Sequence, residues 1–122
     1  MRSLRIIALA MALSATPACA VLKPQTEIAA AQSVDQRAYL LIGAYALALE
    51  TATPILRDPA TPRAVKAALG KAEAAATPAV ELVKIAAIAH ARAGDGAAAI
   101  ALSRAITEAE APVAALANLV KR

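Results

Sequence analysis

The feature that most constrains the fold is an uninterrupted apolar run from Ala38 to Leu49, with the sequence AYLLIGAYALAL. Apart from the hydroxyls of two tyrosines, the side chains of this run are entirely apolar. A membrane-spanning helix needs about twenty apolar residues, so the run by itself is too short to cross a bilayer. We therefore predict that it forms the innermost helix of a small soluble helical domain, buried by several neighbours.

Composition favours an all-α fold around that helix. The chain has 122 residues, which after removal of a leader leaves one domain of about a hundred residues. Hydrophobic residues make up 60% of it, yet Phe and Trp are absent and alanine dominates the apolar set. Alanine favours helices, and strand-favouring residues are few and scattered. Because each alanine buries little apolar area, such a core depends on close approach of the helices.

The charge argues against nucleic acid as a partner. The formal charge is +4, from 13 basic and 9 acidic residues, and it falls to +2 when Arg2 and Arg5 are removed with a leader. Nucleic-acid binding requires a clustered basic face or stacking aromatic residues. The only tight basic pair, Lys121 and Arg122, lies at the end of the last predicted helix, where it complements the helix dipole.

The N-terminal segment, Met1 to Ala20, has the build of an export signal. Basic residues come first, then the apolar run Ile6 to Leu13, then a small-residue segment broken by Pro17. This order predicts that the mature protein is exported and resides in the periplasm. Residues 21–32, which have no consistent apolar face, form a predicted spacer before the helical domain.

Two processing routes fit the end of the leader. In the first, the small residues Ala18 and Ala20 direct cleavage after Ala20, and the mature chain contains no cysteine. In the second, the segment from Thr16 to Cys19 resembles a bacterial lipobox, and Cys19 becomes the lipid-modified first residue, an anchor to the outer membrane. The chain has one cysteine, which excludes a disulfide within it.

Capping and turn signals divide residues 33–122 into three helices. Ser33 and Gln36 match a capping box, which marks the start of the first helix. Two breaks follow, a proline-rich one at 58–62 and a tight glycine turn at 94–96. Short connections of this kind favour an antiparallel up-down-up three-helix bundle of alanine-rich helices.

Prolines give two further signals in the second helix. Thr61 is predicted to cap it, with Pro62 at the first helical position, where a missing N–H costs nothing. Pro78, which follows Thr77, either kinks this helix or ends it, and in the latter case the bundle has four helices.

Hydrophobic periodicity assigns a face to each helix. In the first, one apolar stripe recurs at four-three spacing, formed by Ala38, Ile42, Tyr45, Leu49, Ala52 and Leu56. Gly43 in this helix costs about 1 kcal/mol relative to alanine, which suggests that a neighbouring backbone crosses closely there. The second helix is predicted to show water only a narrow polar stripe, formed by Arg63, Lys66, Glu73, Thr77, Glu81, Lys84 and Arg92. The third is predicted to be half exposed, with its apolar stripe formed by Leu102, Ile106, Ala109, Val113, Leu116 and Val120.

No constellation in the sequence predicts catalysis, a metal or a cofactor. His90 is the single histidine, and nothing at helical spacing from it completes a metal site, so a structural role is expected. Paired carboxylates for hydrolysis must face each other across a cleft, whereas Glu108 and Glu110 point to different sides of their helix. We therefore predict that the protein is not an enzyme.

Two neighbouring helices can cover only part of the first helix, so one of its apolar sides remains without a partner. It carries Tyr39, Leu40 and Leu47, which lie off the predicted core stripe. Either the spacer at 21–32 folds back over these residues, or they contact another protein or another copy of this one. They are the candidate association surface.

The plan of the chain resembles small exported or lipid-anchored helical proteins encoded by phages and prophages of Gram-negative bacteria. The resemblance rests on the leader ending near Cys19, the run AYLLIGAYALAL and the alanine-rich second helix with lysine and glutamate on one side. It implies a setting at the cell envelope and no active residues.

These observations predict an exported, non-enzymatic protein that acts by helix-mediated association at the periplasmic side of an envelope. A phage-encoded role in lysis or in modifying the host envelope is its concrete form, and the partner is an envelope protein or a second copy. The alternative is a structural component of a particle or secreted complex. A cell-wall hydrolase is the third and weakest hypothesis.

Overall fold

A computed structural model of the protein describes residues 33–121 as three α-helices: α1, Val34–Arg57; α2, Arg63–Ala93; and α3, Gly96–Val120. Each helix packs against the other two, and the described range contains no strand. The all-α prediction is therefore confirmed. The four-helix alternative is wrong, because Pro78 lies inside α2.

Several sequence predictions concern residues outside the described part of the chain. The leader at 1–20, the lipidation candidate Cys19, the spacer at 21–32 and the final Arg122 all lie outside residues 33–121.

Local hydrogen bonds fix where two of the helices begin. The Ser33 hydroxyl accepts a hydrogen bond from the Gln36 backbone N–H at 3.1 Å, so the predicted start of α1 is confirmed. The cap predicted at Thr61 is wrong. Pro62 occupies the cap position of α2 and provides no side-chain cap bond, while the Thr61 N–H donates to the Asp58 carbonyl in the preceding turn.

The connection between α2 and α3 is the tight turn that its glycines predict. Gly94 adopts a left-handed conformation with φ of 64°, and its N–H donates to the His90 carbonyl at 2.9 Å. A residue with a side chain is strained in this conformation, whereas glycine is not. The Asp95 carboxylate then accepts from the Ala98 N–H at 2.8 Å, which caps the start of α3.

The core lies mainly between α2 and α3, which share the most extensive interface. The completely buried side chains belong to these two helices: Ala76, Val80, Val83, Leu102, Ile106, Ala109 and Leu116. Three of the five buried residues of α1 are alanines. The prediction that the first helix is the innermost one is therefore wrong. The large apolar residues of α1 are spread around the helix, whereas most of those of α3 lie on one side and enter the core together.

The buried face of α1 also differs from the predicted stripe. Ala38, Tyr45 and Ala52 are buried as expected, but Leu41 and Ala48 complete the set. The other three predicted members, Ile42, Leu49 and Leu56, are half-buried at its edge. Because nearly every residue in this part of α1 is apolar, periodicity could not distinguish between two faces about one residue apart.

Gly43 does not mark a close helix crossing within this bundle. It is exposed, and a methyl group added at its Cα would meet nothing within 4 Å. The predicted close approach of a neighbouring backbone is therefore wrong for the described residues.

The second helix does not show water a narrow polar stripe. Four large apolar residues of α2 are exposed: Val65, Leu82, Ile85 and Ile88. Conversely, four members of the predicted polar stripe are half-buried: Lys66, Glu73, Thr77 and Lys84. The prediction failed because a polar residue at the rim of an interface can make a hydrogen bond across it, as Thr77 does with Tyr45.

By length and composition alone, α1 and α2 could each cross a membrane. The complete helix α1 has 24 residues and extends beyond the apolar run at both ends, so it exceeds the length of about twenty residues that a membrane span requires. The core helix of a soluble protein has the same length and composition.

Candidate functional site

The outward side of α1 carries two of the three residues predicted to form an association surface. Tyr39 is 79% exposed and Leu47 is 47% exposed. Leu40 is half-buried and packs against the core, so the structure does not bring it to the same surface. Gly43 lies one turn from each of the exposed pair and leaves a gap between their side chains. We call Tyr39, Gly43 and Leu47 the α1 face.

Two contacts fix the rotation of α1 about its own axis and so turn the α1 face outward. The Tyr45 hydroxyl lies 2.6 Å from the Thr77 hydroxyl on α2. The Arg37 guanidinium lies 3.1 Å from the Glu110 carboxylate on α3. Tyr39 is six residues from Tyr45, about 120° around the helix, so it points away when Tyr45 points inward.

The side chain of His90, near the end of α2, contacts that of Asp35, near the beginning of α1. Its Nε2 lies 3.7 Å from the carboxylate of Asp35, and its Nδ1 is buried without a hydrogen-bond partner in the described structure. Two side chains are too few to hold a metal ion. Across residues 33–121, no group of three or more metal-ligating side chains comes together.

The carboxylates of α3 face different surroundings, as their positions in the sequence predict. Glu110 is half-buried and pairs with Arg37, whereas Glu108 is exposed on another side of the helix. Glu108 lines a shallow depression together with four other residues, Ile100, Ser103, Arg104 and Thr107. All five belong to α3, so the depression is a feature of one helix surface and not a cleft between elements.

A second exposed apolar surface lies on α2, where the sequence predictions place none. Ile85 is 62% exposed, and Leu82 and Ile88 beside it are exposed to a similar degree. The sequence does contain a signal for it. Ile85 and Ile88 continue a four-three-four spacing with Glu81 and Arg92, which places all four on one side of the helix. This signal is easily missed, because Glu81 and Arg92 also fit the predicted polar stripe of this helix. The isoleucines between them are then assigned to the buried core.

Comparison with protein-family models, curated proteins and solved structures gave no significant match to this chain. Its function must therefore be inferred from its residues and from their arrangement.

Proposed function

We propose that this is an exported, non-enzymatic helical protein that acts by association with another protein at the periplasmic side of a cell envelope. The observation that carries the proposal is the α1 face, where Tyr39 projects almost fully into solvent from an apolar stretch of helix. Exposed apolar surfaces of this kind are typical of protein contacts. Tyrosine is also enriched among the residues that dominate binding energy, because it combines apolar area with a polar tip.

The α1 face has a shape that suits a crossing helix. Tyr39 and Leu47 are eight residues apart, about 12 Å along α1, with the side-chain-free Gly43 between them. No charged residue occurs between Ala38 and Leu49, so a partner would desolvate no charge within this stretch. We infer that a helix of the partner crosses α1 over Gly43 and contacts the two larger side chains.

The proposal includes the finer arrangement of the bundle, an antiparallel up-down-up order of alanine-rich helices. Two contacts support it for α1 and α2. Asp35 lies near His90, and Tyr45 lies near Thr77, so residue numbers rise along one helix as they fall along the other. The short connection at Gly94 and Asp95 supports the same relation between α2 and α3.

Export and lipid anchoring are proposed from the sequence. The build of residues 1–20 supports export, and the position of Cys19 at the cleavage point supports a lipid anchor in the outer membrane. Together with the resemblance to phage and prophage proteins, these features lead us to propose that the protein is a phage-encoded lipoprotein at the host envelope.

Mass spectrometry of the protein expressed in a Gram-negative host tests the export proposal. The expected result is either a diacylglycerol adduct on Cys19 or a chain that starts at Val21. An unprocessed chain with Met1 intact would overturn it.

Photo-crosslinking tests the α1 face. A photoreactive amino acid is placed at Tyr39, at Leu47 or, as a control, at Glu108, which is also exposed but lies on α3. In the native host, the two α1 positions are expected to give one shared crosslinked product, which Leu47→Asp abolishes when the probe is at Tyr39. The control position is expected not to give that product. Absence of a common product at the two α1 positions would contradict the proposal.

A further inference from the structure

The exposed side of α2 carries a short coiled-coil seam that no other described helix covers. Its members are Glu81, Ile85, Ile88 and Arg92, all exposed. Their four-three-four spacing is that of the a and d positions of a heptad, which form one continuous line along a helix. Leu82, also exposed, widens the apolar centre of this α2 seam. A seam of this kind normally faces a second helix.

The charges at the two ends of the α2 seam are arranged for an antiparallel partner of the same sequence. Glu81 and Arg92 are eleven residues apart, about three helical turns or 16 Å. If a second α2 lies antiparallel, with the two-fold axis midway between them, each Glu81 lies opposite Arg92 of the other copy. The same register places Ile85 opposite Ile88, as a and d positions pair in an antiparallel coiled coil.

We propose that a second copy of this chain docks on the α2 seam, forming an antiparallel homodimer. Both charged groups are able to make the contact. Arg92 forms no hydrogen bond or ion pair with a described residue, and Glu81 uses one carboxylate oxygen, Oε1, to bind Lys84 at 2.7 Å. Its other oxygen is free to accept from Arg92 of the second copy.

The observations favour a second copy over other occupants. A parallel pair would place Glu81 against Glu81 and Arg92 against Arg92, and like-charge pairs oppose association. A lipid bilayer would have to accommodate Glu81 and Arg92 on the buried side of the helix, where charged residues are costly. A symmetric dimer pairs both charges with the same two residues of the second copy, so the chain itself supplies everything that the match requires.

The first test removes the apolar centre of the α2 seam. The protein is purified from cells that express the full 122-residue chain, and its mass is measured by analytical ultracentrifugation. Wild type is expected to be a dimer, and Ile85→Glu a monomer with unchanged helical circular dichroism. The matched control is Ile100→Glu on α3, which is 65% exposed against 62% for Ile85 and is expected to remain a dimer.

The second test fixes the register with two charge reversals. Glu81→Arg alone places arginine against arginine in its homodimer, and Arg92→Glu alone places glutamate against glutamate. Each variant is expected to dimerise at least about tenfold more weakly than wild type. Mixed in equal amounts, they restore both opposite-charge pairs, so a heterodimer of near wild-type affinity is expected. Glu108→Arg in place of Glu81→Arg is the control and should give no such rescue.

Three outcomes would overturn the dimer: a monomeric wild type, a mixture that shows no rescue, or binding of wild type to phospholipid vesicles that Ile85→Glu abolishes. The dimer and the proposed envelope contact use different helices, so each proposal can be refuted without affecting the other. Leu47→Asp on α1 is expected to leave the dimer mass unchanged, and Ile85→Glu is expected to leave crosslinking at Tyr39 unchanged.

Discussion

At the scale of single residues, the contact between Tyr45 and Thr77 shows how polar groups are satisfied in an alanine-rich core. The Thr77 hydroxyl donates to the Glu73 carbonyl of its own helix at 2.9 Å. Since a hydroxyl has one proton, Tyr45 must be the donor in its 2.6 Å contact with Thr77. The Thr77 hydroxyl thus donates a hydrogen bond within its own helix and accepts one from the only buried tyrosine in residues 33–121.

Replacement of Tyr45 by phenylalanine is expected to lower the free energy of unfolding by about 1 kcal/mol, because the hydrogen bond to Thr77 is lost while the ring remains packed. Tyr39→Phe is the matched control, since Tyr39 is exposed and its hydroxyl makes no hydrogen bond with a described residue. Urea unfolding of both variants measures the difference. Equal stability of the two variants would contradict the assigned contact.

At the scale of elements, α3 carries the clearest division between a buried and an exposed side. Its buried residues recur at four-three spacing and match five of the six positions predicted from the sequence: Leu102, Ile106, Ala109, Val113 and Leu116. Prediction succeeded here because the opposite side of α3 is polar, which leaves one possible orientation. The prediction of the buried side failed for α1, because apolar residues on all sides of that helix permit more than one orientation.

The division within α3 predicts different costs for the same substitution at two nearby positions. Ile106→Ala is expected to destabilise the protein by about 2–5 kcal/mol, because the side chain is fully buried and its removal leaves a cavity. Ile100→Ala, at an exposed position, is expected to change stability by less than about 0.5 kcal/mol. Chemical denaturation compares the two. A similar loss in both variants would mean that Ile100 is covered in solution.

At the scale of the whole molecule, the bundle is asymmetric, with α2 and α3 forming the main interface and α1 packed against both. Much of what α1 buries is alanine, which contributes little transfer free energy. Its side-chain links to the other helices include an ion pair to Glu110, a hydrogen bond to Thr77 and the contact of Asp35 with His90. Neither surface ion pairs nor single hydrogen bonds stabilise by more than about 1 to 1.5 kcal/mol.

Amide hydrogen exchange is therefore expected to be fastest, among the three helices, in α1. The slowest amides should lie in the facing halves of α2 and α3, around Val80 and Ile106, where side chains are fully buried. Peptide-resolved mass spectrometry measures these rates. Protection of α1 equal to that of α3 would show that the first helix is held as firmly as the hairpin after it.

The sequence by itself determined the all-α class, the start of α1, the glycine turn and the buried face of α3. Each depends on local chemistry or on a contrast between apolar and polar sides that residue order displays directly. The sequence also placed Tyr39 and Leu47 outside the core, and the binding role of the α1 face stays a prediction.

Only the tertiary structure decided that α2 and α3 share the main interface, how α1 is rotated and which apolar residues of α2 stay exposed. The physical reason is that an apolar residue gains free energy wherever a neighbour covers it, so a helix that is apolar on most sides fixes no unique orientation. Orientation was decided by where the large side chains of α3 could be packed and by a few polar contacts between helices, such as that of Tyr45 with Thr77.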